Sequence, residues 1–267
     1  MSETRPAPLP GGYDYGALVD GLNRYLRLRT IPIGMKRFRS VAEMEAVPGV
    51  RRPKSVLVFD QVVAQARHLG WTVGATMNDL PGGNCGAVIG LRPRDSEWLS
   101  GKNMAGVWYG NLEDSAAHQA ALDCAPYGEH EAVVVSPLAA GRLDPPDIAL
   151  VYGTPGQMIL FINGLQYRNY RKLHFTVAGE SACADSWGKA LATGEPALSL
   201  PCFAERRYGG VADEELLMAL PPEYLPQVVE GLAALHRNGL RYPIPPWSIQ
   251  SDPRPGLGVS YPDRHKA

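Results

Sequence analysis

The chain contains no apolar run long enough to cross a bilayer, which takes about 20 consecutive residues. Its longest candidates, 147–152 and 158–162, are broken by glycine, proline or polar residues. It also lacks an excess of charge: a net charge of -1 over 267 residues excludes a broad electrostatic footprint for nucleic acid or an anionic membrane. The local basic runs 36–39 and 168–172 read as solvated faces. Cysteine is scarce, at four residues. An export signal is not expected, because MSETRPAPLPGG has an acidic residue, prolines and no apolar core. A disulfide framework is therefore not expected, and in the expected cytoplasmic setting the cysteines are thiols or metal ligands. Compact CxxC pairs, a GxGxxG fingerprint, a GK[ST] phosphate loop and internal repeats are all missing. Their absence removes the familiar sequence signals for zinc, dinucleotide and phosphate-loop sites.

What is there is an ordinary globular composition, 45% hydrophobic and 20% charged, long enough for one large domain or two packed ones. Leu18, Val19, Leu22, Tyr25 and Leu26 recur at helical spacing within 15–28, and Val58, Val62, Ala66 and Leu69 do so within 56–69. IPIGMKRF, WTVGATM, EAVVVSPL, DIALVYG, LHFTVAG, PALSLPC and ELLMALP read as strands, several of them apolar and β-branched enough for burial. Pro155 fits the first position of a helix, Ser181 or Ser186 the cap of a short helix ending near Gly194, and 222–237 a helix closed by Gly239. The elements mix without the clean alternation of a doubly wound fold. The expected class is α+β, a mixed sheet packed against helices over 13–240, with 128–130 the place for any subdomain boundary. A disordered tail at 1–12 and a proline-rich tail at 241–267 are expected to flank it.

The cysteines differ in context. Cys85 lies in PGGNCGAVIG, where glycines let backbone approach a bound group closely. Cys183 lies in GESACADSWG, which opens a helix whose positive end favours a thiolate. Cys202 lies in SLPCFAERRYGG, at an expected strand end, before Glu205, Arg206, Arg207 and a glycine pair that reads as a turn. Each has a plain alternative as a small buried hydrophobe. Cys124, in LDCAP, sits at a helix end with no glycine or charge context comparable to the others and reads as structural. Arg206 or Arg207 suits a bidentate grip on a carboxylate substrate, against the alternative of an ion pair with Asp213 or Glu214. His174, in the alternating LHF, is placed to point into a cavity, whereas His68, His118 and His236 read as surface or packing residues. Tyr167, with Gln166, sits at a helix end where it lines a pocket or caps the helix.

The segments PPDIALVYGTPGQMILFINGLQYR, SACADSWGKALATGEPALSLPCFAERRYGG and DEELLMALPPEYLPQVVEGL together resemble the bacterial and archaeal domain of unknown function 169, over roughly Tyr15 to Arg237. The resemblance implies that cysteines recur at the positions of Cys85, Cys183 and Cys202, with a further cysteine in many members where this chain has Asp60. It sets Cys124 apart. Three thiolates can hold a [4Fe–4S] cluster with one iron open, or a single metal ion.

The leading expectation is an iron–sulfur-dependent hydratase or dehydratase for a small organic acid or aromatic compound, with the cluster as Lewis acid and Glu205, Asp185 or His174 moving the proton. The alternatives are an iron–sulfur electron carrier and a non-enzymatic module with structural cysteines. A small-molecule substrate is expected, with no nucleic-acid or membrane partner; the oligomeric state stays open, a homo-oligomer among the options.

Overall fold

The computed structural model describes residues 12–80 and 82–244. The expected tails fall almost wholly outside the described residues. The fold is α+β, built on a six-stranded sheet of order β2-β3-β1-β4-β6-β5 in which every pairing is antiparallel.

Helix α1 (Tyr15–Leu26) opens where Asp14 accepts from the Ala17 N–H, buries Tyr15, Val19, Leu22 and Leu26, and ends at Arg27 in the left-handed region. Strand β1 (Ile33–Phe38) leads to the short α2 (Val41–Glu45), then α3 (Phe59–Leu69), closed by Gly70 at φ 70°. Next come β2 (Val73–Thr76), α4 (Cys85–Val88), α5 (Ser96–Leu99), α6 (Leu112–Ala121), β3 (Ala132–Pro137) and β4 (Ile148–Gly153). Helix α7 (Pro155–Gln166) starts as Pro155 requires, with Thr154 and Gln157 satisfying each other's backbone N–H groups. A π-helical turn (Ala184–Gly188) runs into α8 (Lys189–Thr193), followed by β5 (Ala197–Ser199), α9 (Phe203–Arg207), β6 (Leu216–Leu220) and α10 (Leu225–Arg237).

The sheet is covered on both faces. In β4, Ile148, Leu150 and Tyr152 pack with Phe59, Val62 and Trp187 on one side, while Ala149 and Val151 pack with Leu22, Phe161 and Leu232 on the other. Alternating residues of β4 thus enter different cores, and all six are buried. That burial is why IALVYG, the strand itself, is apolar throughout although the sheet is antiparallel. The layer of α1, α7 and α10 fills one face; the layer of α3, α4 and the π-turn fills the other and carries the cysteines. Strands from both sides of 128–130 share the sheet, β1 pairing with β3 along its whole length.

Two local expectations are corrected. LHFTVAG is not a strand but irregular chain, in which the Asp185 carboxylate accepts from the Ala178 N–H, a group that a ladder would otherwise use, and from the Thr176 hydroxyl. The glycine-rich loop contains α4, beginning at Cys85 itself. The turn expected at Gly209 and Gly210 follows the short helix α9, with Gly210 at φ 63°.

Candidate functional site

Four helix starts meet on the α3 face of the sheet. Asp60 stands in the first turn of α3, Cys85 is the first residue of α4, Cys183 precedes the π-turn, and Cys202 precedes α9. The last of these starts is fixed by sequence: the Glu205 carboxylate reaches back to accept the Cys202 N–H at 2.9 Å, which orients both residues. The Cys85 sulfur lies 3.8 Å from the Cys183 sulfur and 3.8 Å from Asp60 Oδ2, to which its thiol donates. Asp60 and Glu205 are buried, and one oxygen of each, Oδ1 and Oε1, has no hydrogen-bond partner.

Electrostatics bind these groups into one unit. Burial raises the Asp60 carboxyl to about 6, with the Glu180 charge adding to it. Burial raises Glu205 to about 8, and the Asp60 charge pushes the same way. At Cys85 the hydrogen bond with Cys183 lowers the thiol, but burial and the charges of Asp60 and Glu205 outweigh it and the net shift is upward. Cys183 is raised well above the usual thiol range by its hydrogen bond to Cys85 and by burial. Cys202 is raised by burial and by the Glu205 charge. Each anion here disfavours the next, which holds the three thiols and Glu205 in their protonated forms at neutrality. A cation among them would reverse every one of those shifts.

Asp60, Cys85, Cys183 and Cys202 line a cavity of about 340 Å³ that also touches Glu180 and Arg92. Trp98, Trp108, Phe59 and Tyr208 form its apolar wall. Among the described residues, no group of three or more His, Cys, Asp or Glu side chains converges tightly enough to hold a metal ion as they stand. The donor chemistry nonetheless fits one: soft thiolates, two carboxyls with an unused oxygen each, and no lysine among the described residues of the cavity wall. Two thiolates on one tetrahedral ion with metal–sulfur bonds of ~2.3 Å lie ~3.8 Å apart. A cluster needs them to rotate further apart, since each binds a different iron.

The expected proton and substrate groups are placed unevenly. Glu205 stands behind the cysteines. Asp185 is held by Thr176 and Ala178 and does not line the cavity. His174 is exposed, its carbonyl taken by Lys189, and it points into no cavity with the cysteines. Arg206 is spent on the carbonyls of Pro201 and Ala212, and Arg207 lies over the rings of Phe203 and Tyr208. Tyr167 caps α7 on the opposite layer. None of these five side chains, Asp185, His174, Arg206, Arg207 and Tyr167, reaches the cavity wall. Cys124 packs at the edge of the core away from that wall. Sequence reasoning missed Arg92, Trp98 and Trp108, whose only signal was an aromatic-rich, irregular stretch after the glycine loop.

The chain belongs to the DUF169 family, described as uncharacterised ArCR, whose model matches residues 21–231. It is similar to an uncharacterised protein of Methanocaldococcus jannaschii, 30% identical over 129 residues, which are 47% of this chain and 55% of that protein. The chain thus matches about half the length of that relative. No solved structure matches significantly.

Proposed function

We propose that the chain is a metalloenzyme in which Cys85, Cys183 and Cys202 hold a [4Fe–4S] cluster, and that it adds water to, or removes it from, a small apolar or aromatic acid. The observation that carries this reading is the gathering of three thiols and two buried, partly unpartnered carboxyls under an aromatic cavity. Bound there, such a cluster supplies an electrophilic iron that polarises a substrate oxygen. The chain's own residues do the rest. Asp60, on the cavity wall with one carboxyl oxygen unpartnered, is placed to exchange a proton with a molecule in the cavity. Glu205 stands behind it and keeps the Cys202 backbone in place. The apolar wall excludes bulk water.

A second reading has its own support: the 3.8 Å between the Cys85 and Cys183 sulfurs suits a single soft ion such as zinc, with Asp60 as a further ligand. Full-length protein purified without oxygen and assayed for iron, acid-labile sulfide and zinc tests both. Iron with sulfide and a brown colour that fades in air is the expected result; zinc without sulfide moves the reading to the single ion; folded protein with no metal overturns both.

A further inference from the structure

The cavity over the cysteines has a charged end and an aromatic wall, and each restricts what can enter. Trp98 is buried in that wall, whereas Trp108 and Tyr208 are 44% and 45% exposed at the mouth, Trp108 edge-on to Phe203 at 5.6 Å. These rings present apolar faces to anything inside and few hydrogen-bond partners. Arg92 is the one lysine or arginine on the described wall. It is half-buried, and its guanidinium has no ion pair or hydrogen bond among the described residues. Its neighbour Arg94 is engaged elsewhere, against the Trp98 ring at 5.0 Å and on the carbonyls of Gln119 and Ala120. An unpaired guanidinium at the edge of an apolar cavity is a fork for a planar anion. The other charged groups of the described wall, Asp60 and Glu180, repel an anion, and the remaining polar side chains, Asn84, Asn103 and Ser181, are neutral, so the charged end of a ligand is fixed at Arg92 and its apolar end along the tryptophans. A volume of about 340 Å³ admits one ring with a short side chain and is at the small end for ligand pockets.

We infer that the cavity takes a flat aromatic carboxylate, with its carboxylate on the guanidinium of Arg92 and its ring against the wall of Trp98 and Trp108. This rests on the proposed function only in treating this cavity as the substrate site. It also replaces Arg206 and Arg207, which are committed elsewhere, with Arg92 as the substrate's anchor.

The test is a titration of the full-length protein, as isolated, with cinnamate and with cinnamamide, followed by tryptophan fluorescence, with metal measured on the same sample. Cinnamate should bind roughly tenfold to a hundredfold more tightly than the neutral amide, the range for hydrogen bonds to a charged group. Arg92→Gln should abolish that preference while leaving the amide's affinity unchanged, and Arg92→Lys should keep part of it. Trp108→Ala should weaken acid and amide alike. Equal binding of acid and amide overturns the inference, as does an acid preference that survives Arg92→Gln, which would move the carboxylate to a metal. Hexanoate binding as tightly as cinnamate overturns the aromatic part. An acid preference in a metal-free sample sinks the metal reading alone, and a metal-loaded sample without one sinks this inference alone.

Discussion

The sulfur of Cys85 stands 3.8 Å from the sulfur of Cys183, across 98 residues of sequence. A disulfide needs ~2.05 Å, so the pair is reduced, yet the two thiols are near enough to share an ion. Their closeness is made by α4 packing on the π-turn, and Asp60 of α3 and Cys202 before α9 line the same cavity.

Metal content should follow that geometry. Cys85→Ala, Cys183→Ala and Cys202→Ala should each lose most of the bound metal, because the remaining thiolates leave an incomplete donor set. Cys124→Ala should keep it, since Cys124 does not line the cavity. Elemental analysis of the four purified variants decides the matter, and equal retention in all of them would return the cysteines to the role of packing residues.

The sequence made the sheet legible because most of its strands are apolar on both faces, and it made α1 legible through its apolar spacing and α7 through Pro155 at its start. It misread LHFTVAG, whose β-like alternation is overridden by the Asp185 carboxylate binding Ala178 and Thr176. The cysteine set was legible through a family resemblance, as was interest in Asp60. Arg92 was not, since an arginine in an irregular stretch has no periodicity to show which wall it faces. Arg206 and Arg207 were overvalued for the converse reason: nearness to Cys202 in sequence does not reveal that α9 turns them toward the Pro201 and Ala212 carbonyls and the exposed rings.

A buried ion pair supports the site from beneath. Arg67 of α3 donates to both oxygens of Glu215 at 2.5 and 2.6 Å, with its guanidinium 3.8 Å above the Tyr152 ring. Glu215→Ala should cost about 3–5 kcal/mol, because it strands a charge from which water is excluded. Replacing both partners, as in Arg67→Met with Glu215→Leu, should recover much of that loss. Denaturant unfolding of the single and double variants measures both, and a double variant no more stable than Glu215→Ala would show that the pair contributes more than its own neutralisation.

On the opposite layer, α7 and α10 cross at Gly164 and Gly231. A Cβ at Gly231 would run into the Gly164 carbonyl, and one at Gly164 would lie 2.9 Å from the Val228 carbonyl oxygen. Gly231→Ala should therefore force the helices apart and lower stability by about 1–3 kcal/mol, despite alanine's better helix propensity. Thermal unfolding that showed the variant equal to or above the parent would mean the crossing is looser than this.

The protonated state of the metal-free site gives stability its own pH dependence. Glu205 has its folded value raised from 4.5 to about 8 and Asp60 from 3.8 to about 6, burial being the main cause for both. Between the ordinary and the raised values the folded chain holds protons that the unfolded chain has released, so folding takes protons up and stability falls as pH rises. The contribution is complete below about pH 4 and is lost progressively up to about pH 8. His68 and His130, both lowered chiefly by burial, act in the opposite sense. The informative quantity is therefore the difference between the parent and Glu205→Gln. Metal-free parent protein should melt at a lower temperature at pH 8 than at pH 5.5, and Glu205→Gln should remove most of that drop because its side chain has no proton to lose. Parallel melting curves for the two proteins across this range would show that Glu205 ionises freely in the folded chain and that the site is less dry than its geometry indicates.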